Sequence, residues 1–307
     1  MKKEKVVVIG SGPAGLTAAL YTARARLEPL VVSGTQLGGQ ISITNEVENY
    51  PGFPEGTTGP ELVELMRKQA EVFGARMVID EVTKVDFSGG SPFTLETHSE
   101  TYEAEAVIVT AGASPKRLGV PGEEEFIGRG VSFCATCDGF FFRDKDVVVV
   151  GGGDSAMEES IFLTRFANQV QVVHRRDELR AGEALKRRAL ANDKLDFIWD
   201  TVVEEIVGNG QVKAIRTRNV KTGDAEERET DGVFVFIGHY PNSSLFEGQL
   251  EMDEVGYLIV DDKMMTSVPG VFAAGEIMDS VYRQIATSVG QGTAAAIMTE
   301  RWLQEQE

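Results

Sequence analysis

A strand-turn-helix unit written twice constrains this chain more than any other feature of its 307 residues. Val6-Val7-Val8-Ile9-Gly10-Ser11-Gly12-Pro13-Ala14-Gly15 aligns with Val147-Val148-Val149-Val150-Gly151-Gly152-Gly153-Asp154-Ser155-Ala156, and the alignment runs without a gap through Ser33 and His174. In each copy an apolar run leads directly into Gly-x-Gly-x-x-Gly or Ala and then into helical spacing. The glycines permit a tight turn, close approach of a pyrophosphate to backbone N–H groups, and close helix–strand packing. Alone the pattern is weak; the strand before it and the helix after it make it specific. Later parts correspond too: Gly89-Gly90 and Gly208-Asn209-Gly210 sit in strand-rich stretches, and residues 107–112 are echoed by residues 233–238. Two copies of one dinucleotide-binding unit are the economical explanation.

The second copy is inserted in the first, because residues 245–307 follow it and have no partner within it. The expected fold is therefore α/β, with two Rossmann-like domains: residues 1–114 with 245–307, and residues 115–244. The chain crosses between them near Pro115 and near Pro241-Asn242, and two thin connections permit one domain to rotate on the other. Within the first domain, residues 60–73 read as a core-packing helix with Leu62, Leu65, Met66 and Phe73 inward. Ser88-Gly89-Gly90-Ser91 reads as a hairpin turn, and residues 282–304 read as a long closing helix.

Cys134-Ala135-Thr136-Cys137-Asp138-Gly139 holds the only two cysteines. Two thiols cannot build a three- or four-thiolate zinc site, whereas they can close into a reversible disulfide. Disulfide exchange needs a thiolate and a nearby proton donor or acceptor, and Asp138, next to Cys137, is the obvious carboxyl. The catalytic candidates are thus Cys134, Cys137 and Asp138.

The copies differ where cofactor choice is decided. The second strand of copy one ends at Ser33, where many dinucleotide folds carry an acidic residue for the ribose. The matching strand of copy two ends in His174-Arg175-Arg176, with Arg180 close behind. A carboxylate there would repel a 2′-phosphate, while arginines pair with it through charge-assisted forks, so copy two is expected to take NADPH. In the tail, Gly270-Val271-Phe272-Ala273-Ala274-Gly275-Glu276 sets small residues after a buried strand, with Glu276 available to accept a hydrogen bond from a polyol.

Charge excludes one large class. The chain has 48 acidic against 30 basic residues and a net charge of −18, which disfavours a nucleic-acid surface. The N-terminal apolar run breaks at Gly10, too soon for a secretion signal, and no run approaches the roughly 18 apolar residues of a membrane span. A cytoplasmic protein without membrane attachment is expected, and in that compartment a thiol pair is more often redox-active than structural.

Taken together, Gly10 to Gly15, Gly38-Gly39-Gln40, Glu48-Asn49-Tyr50-Pro51-Gly52, Cys134 to Gly139, Gly151 to Ala156, His174-Arg175-Arg176 and Gly270 to Gly275 resemble the bacterial low-molecular-weight thioredoxin reductases along essentially the full length. That resemblance implies two three-layer (ββα) FAD/NAD(P)-binding domains, homodimers, and reduction of thioredoxin. It implies FAD contacts at Gly10, Gly12, Gly15, Gly38, Gly39, Gln40, Asn49, Gly275, Glu276, Arg283 and Gln284. It implies NADPH contacts at Gly151, Gly153, Ser155, Ala156, His174, Arg175, Arg176 and Arg180. Arg129, Phe140 and Phe141 match positions that meet thioredoxin. Two departures stand out: Glu276 replaces the commoner Asp, and Asp154 replaces a frequent Asn. Alternatives stay open. The reductase of a peroxide-scavenging system shares this core but normally adds an N-terminal thioredoxin-like domain, for which Met1, directly before the first strand, is expected to leave no room. The cysteine pair argues against a flavin-dependent NADPH oxidase, and the arginines argue against a ferredoxin-coupled reductase. A redox sensor that binds NADPH without turnover is the remaining rival.

Overall fold

The computed structural model describes residues 1–44 and 46–306. The chain forms two compact units, Met1–Ser114 with Tyr240–Glu307, and Pro115–His239.

In the first unit β1 (Lys2–Ile9), β2 (Leu30–Val32), β3 (Arg76–Val78), β4 (Val82–Asp86), β5 (Phe93–Thr97) and β6 (Thr101–Val109) lie in the order β3-β2-β1-β6-β5-β4. β1 runs parallel to β2 and β6, with Val7 opposite Leu30 on one side and Val107 on the other. Because both faces of this strand are covered, Val6 to Ile9 are all buried, as a continuous apolar run requires. Strand alternation then divides them. Val7 and Ile9 enter a core with Phe93, Leu95 and Phe246, while Val6 and Val8 enter a second core with Ala14, Ala18 and Ala295. The second core is the helical face, built by α1 (Pro13–Arg24).

Helix α2 (Gly59–Val72) begins with a complete capping box, Thr58 with Glu61, and Pro60 in its first turn. Its inward face differs from the expected one: Leu62, Val63 and Ala70 are buried, whereas Leu65 is 51% and Phe73 44% exposed. Val63 lies against Gly38, where a Cβ would come within 2.6 Å of its side chain. The helix is thus rotated toward the Gly38 loop.

After β7 (Ala113–Pro115) the chain enters the second unit. There β8 (Val131–Ser132), β9 (Asp146–Gly151), β10 (Gln169–Val173), β11 (Leu195–Ile198), β12 (Thr201–Gly208), β13 (Val212–Asn219), β14 (Ala225–Glu229) and β15 (Gly232–Phe236) make two sheets. One is parallel, in the order β11-β10-β9-β15-β8; the other is antiparallel, β12-β13-β14. The alternation of copy one recurs: Val147 and Val149 face a core with Ala156 and Met157, and Val148 and Val150 face one with Ile206 and Ile215 under the antiparallel sheet. The helical layer comprises α3 (Ala135–Asp138), α4 (Asp154–Leu163) and α5 (Glu183–Leu190).

The return is made by β16 (His239–Pro241), which pairs with β7, so the two connections form one ribbon. Back in the first unit, β17 (Val271–Ala273) joins the second half of β6, with Val271 opposite Val107. The last helix, α6 (Ile285–Gln306), starts later than the apolar spacing suggests. Asp279 Oδ1 accepts hydrogen bonds from the N–H groups of Val281 and Tyr282, each at 2.9 Å, and Arg283 has a left-handed φ of 49°. Both hold residues 279–284 out of a helix.

The orientation of α2 is directly testable. Leu62→Ala is expected to cost about 2–5 kcal/mol in denaturant unfolding, and Leu65→Ala less than about 0.5 kcal/mol. Equal losses would contradict the burial described.

Candidate active site

In the first unit the glycine turn leaves no room for a side chain. A Cβ on Gly10 would lie 2.4 Å from the Thr110 carbonyl oxygen, and one on Gly15 2.1 Å from that of Gly10. Gly12 is different: it is the N-cap of α1, no side chain caps it, and a Cβ there would meet nothing within 4 Å. The first-turn N–H groups therefore face an open concavity suited to phosphate. Its wall is the Gly38 loop, tied down by Gly38 N–H donating to Ser11 Oγ at 3.0 Å, while Ser11 Oγ donates to the Ser33 carbonyl at 3.0 Å. Gly39 approaches Gly12 closely enough that its Cβ would be 3.8 Å from the Gly12 Cα. Gln40 follows in the same turn, exposed.

Gly275 joins this cradle from the tail, with a φ of 80° and space for its Cβ blocked by Ala14 at 2.9 Å. Gly292 of α6 packs on the Ala14 carbonyl, where a Cβ would sit at 2.3 Å. Asn49 Nδ2 donates to Gln284 Oε1 at 3.2 Å, and Arg283 Nη2 donates to the Tyr257 hydroxyl at 3.3 Å. Burial raises the Glu276 carboxyl to about 7, with Arg283 opposing and Asp279 reinforcing the shift. A carboxyl so poorly hydrated can serve a polyol hydroxyl as donor or acceptor. These residues fit a dinucleotide with its pyrophosphate on α1.

In the second unit the same turn recurs with different detail. A Cβ on Gly151 would lie 2.5 Å from the Phe236 carbonyl oxygen and 2.7 Å from the Ala156 Cβ, whereas Gly153, the N-cap of α4, opens onto free space. Ser155 is exposed in the first turn and Ala156 is buried beneath it. Asp154 Oδ1 accepts the Gly182 N–H at 2.8 Å, and the Gly152 carbonyl accepts the Arg180 N–H at 2.7 Å. The basic segment is thereby anchored beside the turn. His174 is buried, its ring against Gly152, and its Nε2 donates to the Glu178 carbonyl at 3.1 Å. Burial, with help from Arg180, Arg176 and Arg175, lowers its basicity. The ring props the loop from below, and Arg175, Arg176 and Arg180 are the exposed cations.

The redox loop belongs to this unit. Cys134 and Cys137 form a disulfide with Cα atoms 5.3 Å apart. Cys134 is the N-cap of α3, its Sγ accepting the Cys137 N–H at 3.2 Å. Two residues that spacing alone did not single out hold the loop. Ser132 Oγ donates to Asp138 Oδ2 at 2.6 Å and accepts the Cys134 N–H at 3.1 Å. Glu159 of α4 accepts the Ala135 N–H at 2.9 Å, placing a carboxylate at the start of α3. Burial pushes the Asp138 carboxyl above its ordinary range, partly offset by the Ser132 hydrogen bond. The result is a poorly hydrated carboxyl next to Cys137 whose protonated form is favoured. Beyond the loop, Phe140 is 47% exposed, meets Phe141 and Phe166 edge-on, and lies under the Arg143 guanidinium; Arg129 is also exposed.

Residues 4–292 match the family model described as pyridine nucleotide-disulphide oxidoreductase. A thioredoxin reductase of Mycolicibacterium smegmatis is 54% identical over 303 residues, covering 98% of this chain and 97% of its own. A bifunctional thioredoxin reductase/thioredoxin of Mycobacterium leprae is 52% identical over 302 residues, covering 98% of this chain and 66% of its own. The crystal structure of thioredoxin reductase from Streptococcus pyogenes superposes with a TM-score of 0.94 at 46% identity, covering 99% of both chains.

The environment of Asp138 has a measurable consequence. A carboxyl whose folded pKa is raised favours the fold fully below its unfolded value and loses that contribution as pH rises through the folded value. Asp138→Asn, which cannot ionise, should therefore gain stability relative to the parent as pH rises above the ordinary carboxyl range of about 4. A pH-independent difference in denaturant unfolding of the oxidised proteins would contradict the assignment.

Proposed function

The chain belongs to the pyridine nucleotide-disulphide oxidoreductase family, and on that premise we propose that it is an FAD enzyme that uses NADPH to reduce the disulfide of thioredoxin. The observation that carries this reading is the Cys134–Cys137 disulfide at the head of a short helix, beside a buried carboxyl, in a chain built on two dinucleotide turns.

FAD is assigned to the first unit, where Gly10, Gly12, Gly15, Gly38, Gly39, Gln40, Asn49, Gly275, Glu276, Arg283 and Gln284 would hold it. NADPH is assigned to the second, with Gly151, Gly153, Ser155 and Ala156 on the pyrophosphate. Arg175, Arg176 and Arg180 would hold the 2′-phosphate, and His174 would support them. Together the two bound cofactors supply hydride transfer from a nicotinamide and, onward, an electron pair for a disulfide.

The Cys134–Cys137 bond takes up that pair and opens to a thiolate and a thiol. Asp138, whose carboxyl burial pushes toward the protonated form, gives a proton to the cysteine that must leave as a thiol and recovers it when the bond re-forms. Ser132 orients that carboxyl, and the Glu159 hydrogen bond holds the start of α3 in place during the exchange. One thiolate attacks a sulfur of the partner disulfide to make a mixed disulfide; the second cysteine then displaces the reduced partner and restores the Cys134–Cys137 bond. In sum, NADPH and one proton reduce one disulfide to two thiols. Phe140, Phe141 and Arg129 offer the partner an apolar and cationic landing next to the loop.

The second dinucleotide turn and the disulfide both belong to the second unit, and rotation of that unit on its paired connections would let them act in turn. The protein acts as a cytoplasmic homodimer. Among the described residues no helix is long and apolar enough to cross a membrane.

Steady-state reduction of oxidised thioredoxin by NADPH tests the reading. Cys134→Ser and Cys137→Ser should each lose thioredoxin reduction while NADPH still bleaches the bound flavin. A variant that kept thioredoxin reduction would remove the disulfide from the path, and a parent protein whose flavin NADPH failed to bleach would favour a sensor without turnover.

A further inference from the structure

Arg175, Arg176 and Arg180 line a groove of about 440 Å³ that is also lined by carboxylates, among them Asp177 and Asp200. Left alone, these acids would do two things to a dianionic 2′-phosphate: repel it, and compete with it for the arginine forks. Among the described residues neither acid is paired with an arginine. Lys221, in the turn between β13 and β14, reaches across and places its Nζ 2.7 Å from Asp177 Oδ2 and 3.0 Å from Asp200 Oδ2. Glu178 is met by Lys186 at 2.9 Å. Among the described residues no ion pair engages Arg175, Arg176 or Arg180.

The position of Lys221 is built in by the backbone. Asn219 Oδ1 accepts the N–H groups of Lys221 and Thr222 at 2.9 and 3.0 Å, which sets the turn. The Val220 N–H donates to the Asp200 carbonyl at 2.6 Å, and the Asp200 N–H donates to the Arg176 carbonyl at 3.2 Å. A continuous strap therefore runs from the arginine segment through Asp200 to the turn that carries Lys221. Asp200 is held on it with a left-handed φ of 51°, a conformation that a residue with a Cβ adopts at some cost.

We propose that Lys221 is a specificity-positioning residue for NADPH, holding Asp177 and Asp200 away from Arg175, Arg176 and Arg180 so that the arginine forks stay free for the 2′-phosphate. This rests on NADPH occupying the second unit. Lys221 acts through its neighbours and carries no part of the electron transfer. NADH, which has no 2′-phosphate, is indifferent to it.

The test is flavin reduction in the FAD-loaded enzyme with NADPH and with NADH separately. Lys221→Met should raise the KM for NADPH relative to that for NADH by about tenfold, with kcat little changed. Lys221→Arg should keep most of the preference. Adding Asp177→Asn and Asp200→Asn to Lys221→Met should restore NADPH use, because the acids that needed neutralising are gone. The proposal is overturned if Lys221→Met leaves the ratio unchanged, if it weakens both cofactors equally, or if the added asparagines fail to restore NADPH; that last result would make Lys221 a direct phosphate ligand. Arg175→Ala with Arg176→Ala serves as the separate control. If that variant keeps its NADPH preference, the placement of NADPH itself fails; if it loses the preference while Lys221→Met does not, only the role of Lys221 fails.

Discussion

Close backbone approach at two glycine turns is the constraint on which this structure depends. Gly10 against Thr110 and Gly151 against Phe236 sit nearer to a neighbouring strand's carbonyl than any Cβ allows. That approach lets β1 and β9 hand the chain to α1 and α4 with the first-turn N–H groups turned outward. The concavity at Gly12 and the one at Gly153 both follow from it. Around the first, Gly275 and Gly292 close on Ala14, so the tail of the chain is shaped to the same helix as its beginning.

The second layer of organisation is electrostatic and is concentrated in the second unit. Carboxyls there have distinct tasks set by their surroundings. Asp138 is desolvated beside the disulfide, Asp154 and Glu159 accept backbone N–H groups, and Asp177 and Asp200 are matched to a lysine. The result is a desolvated carboxyl beside the sulfur chemistry and, among the described residues, arginines without ion pairs where a dianion would bind. In a chain with a net charge of −18, the exposed Arg175, Arg176 and Arg180 form a local cationic site for an anionic group.

Much of this was legible in the residues because its causes are local. The glycine spacing, the apolar runs at Val6 and Val147, the Cys134–Cys137 pair and the arginines after β10 each declare their chemistry within a few positions. What escaped notice depends on distant partners. Glu159 is 24 residues from Ala135, and Lys221 is 44 from Asp177; neither pairing has a periodicity. The inward face of α2 was ambiguous because Leu62, Val63 and Ala70 compete with Leu62, Leu65 and Phe73 at helical spacing, and only contact with Gly38 decides between them. Likewise the apolar Val281 and Tyr282 extend the pattern of α6, but Asp279 and the backbone at Arg283 hold that stretch out of the helix. It is released to form the neighbourhood of Glu276 instead.

The central claim is that electrons entering from NADPH come to rest on the Cys134–Cys137 sulfurs before reaching a partner. Anaerobic NADPH titration of the FAD-loaded protein, followed by flavin absorbance and by the count of reactive thiols, measures this most directly. The account predicts that the parent takes up twice as much NADPH as the Cys134→Ser, Cys137→Ser double variant and gains two reactive thiols. Equal uptake by the two proteins, with no new thiols in the parent, would contradict it.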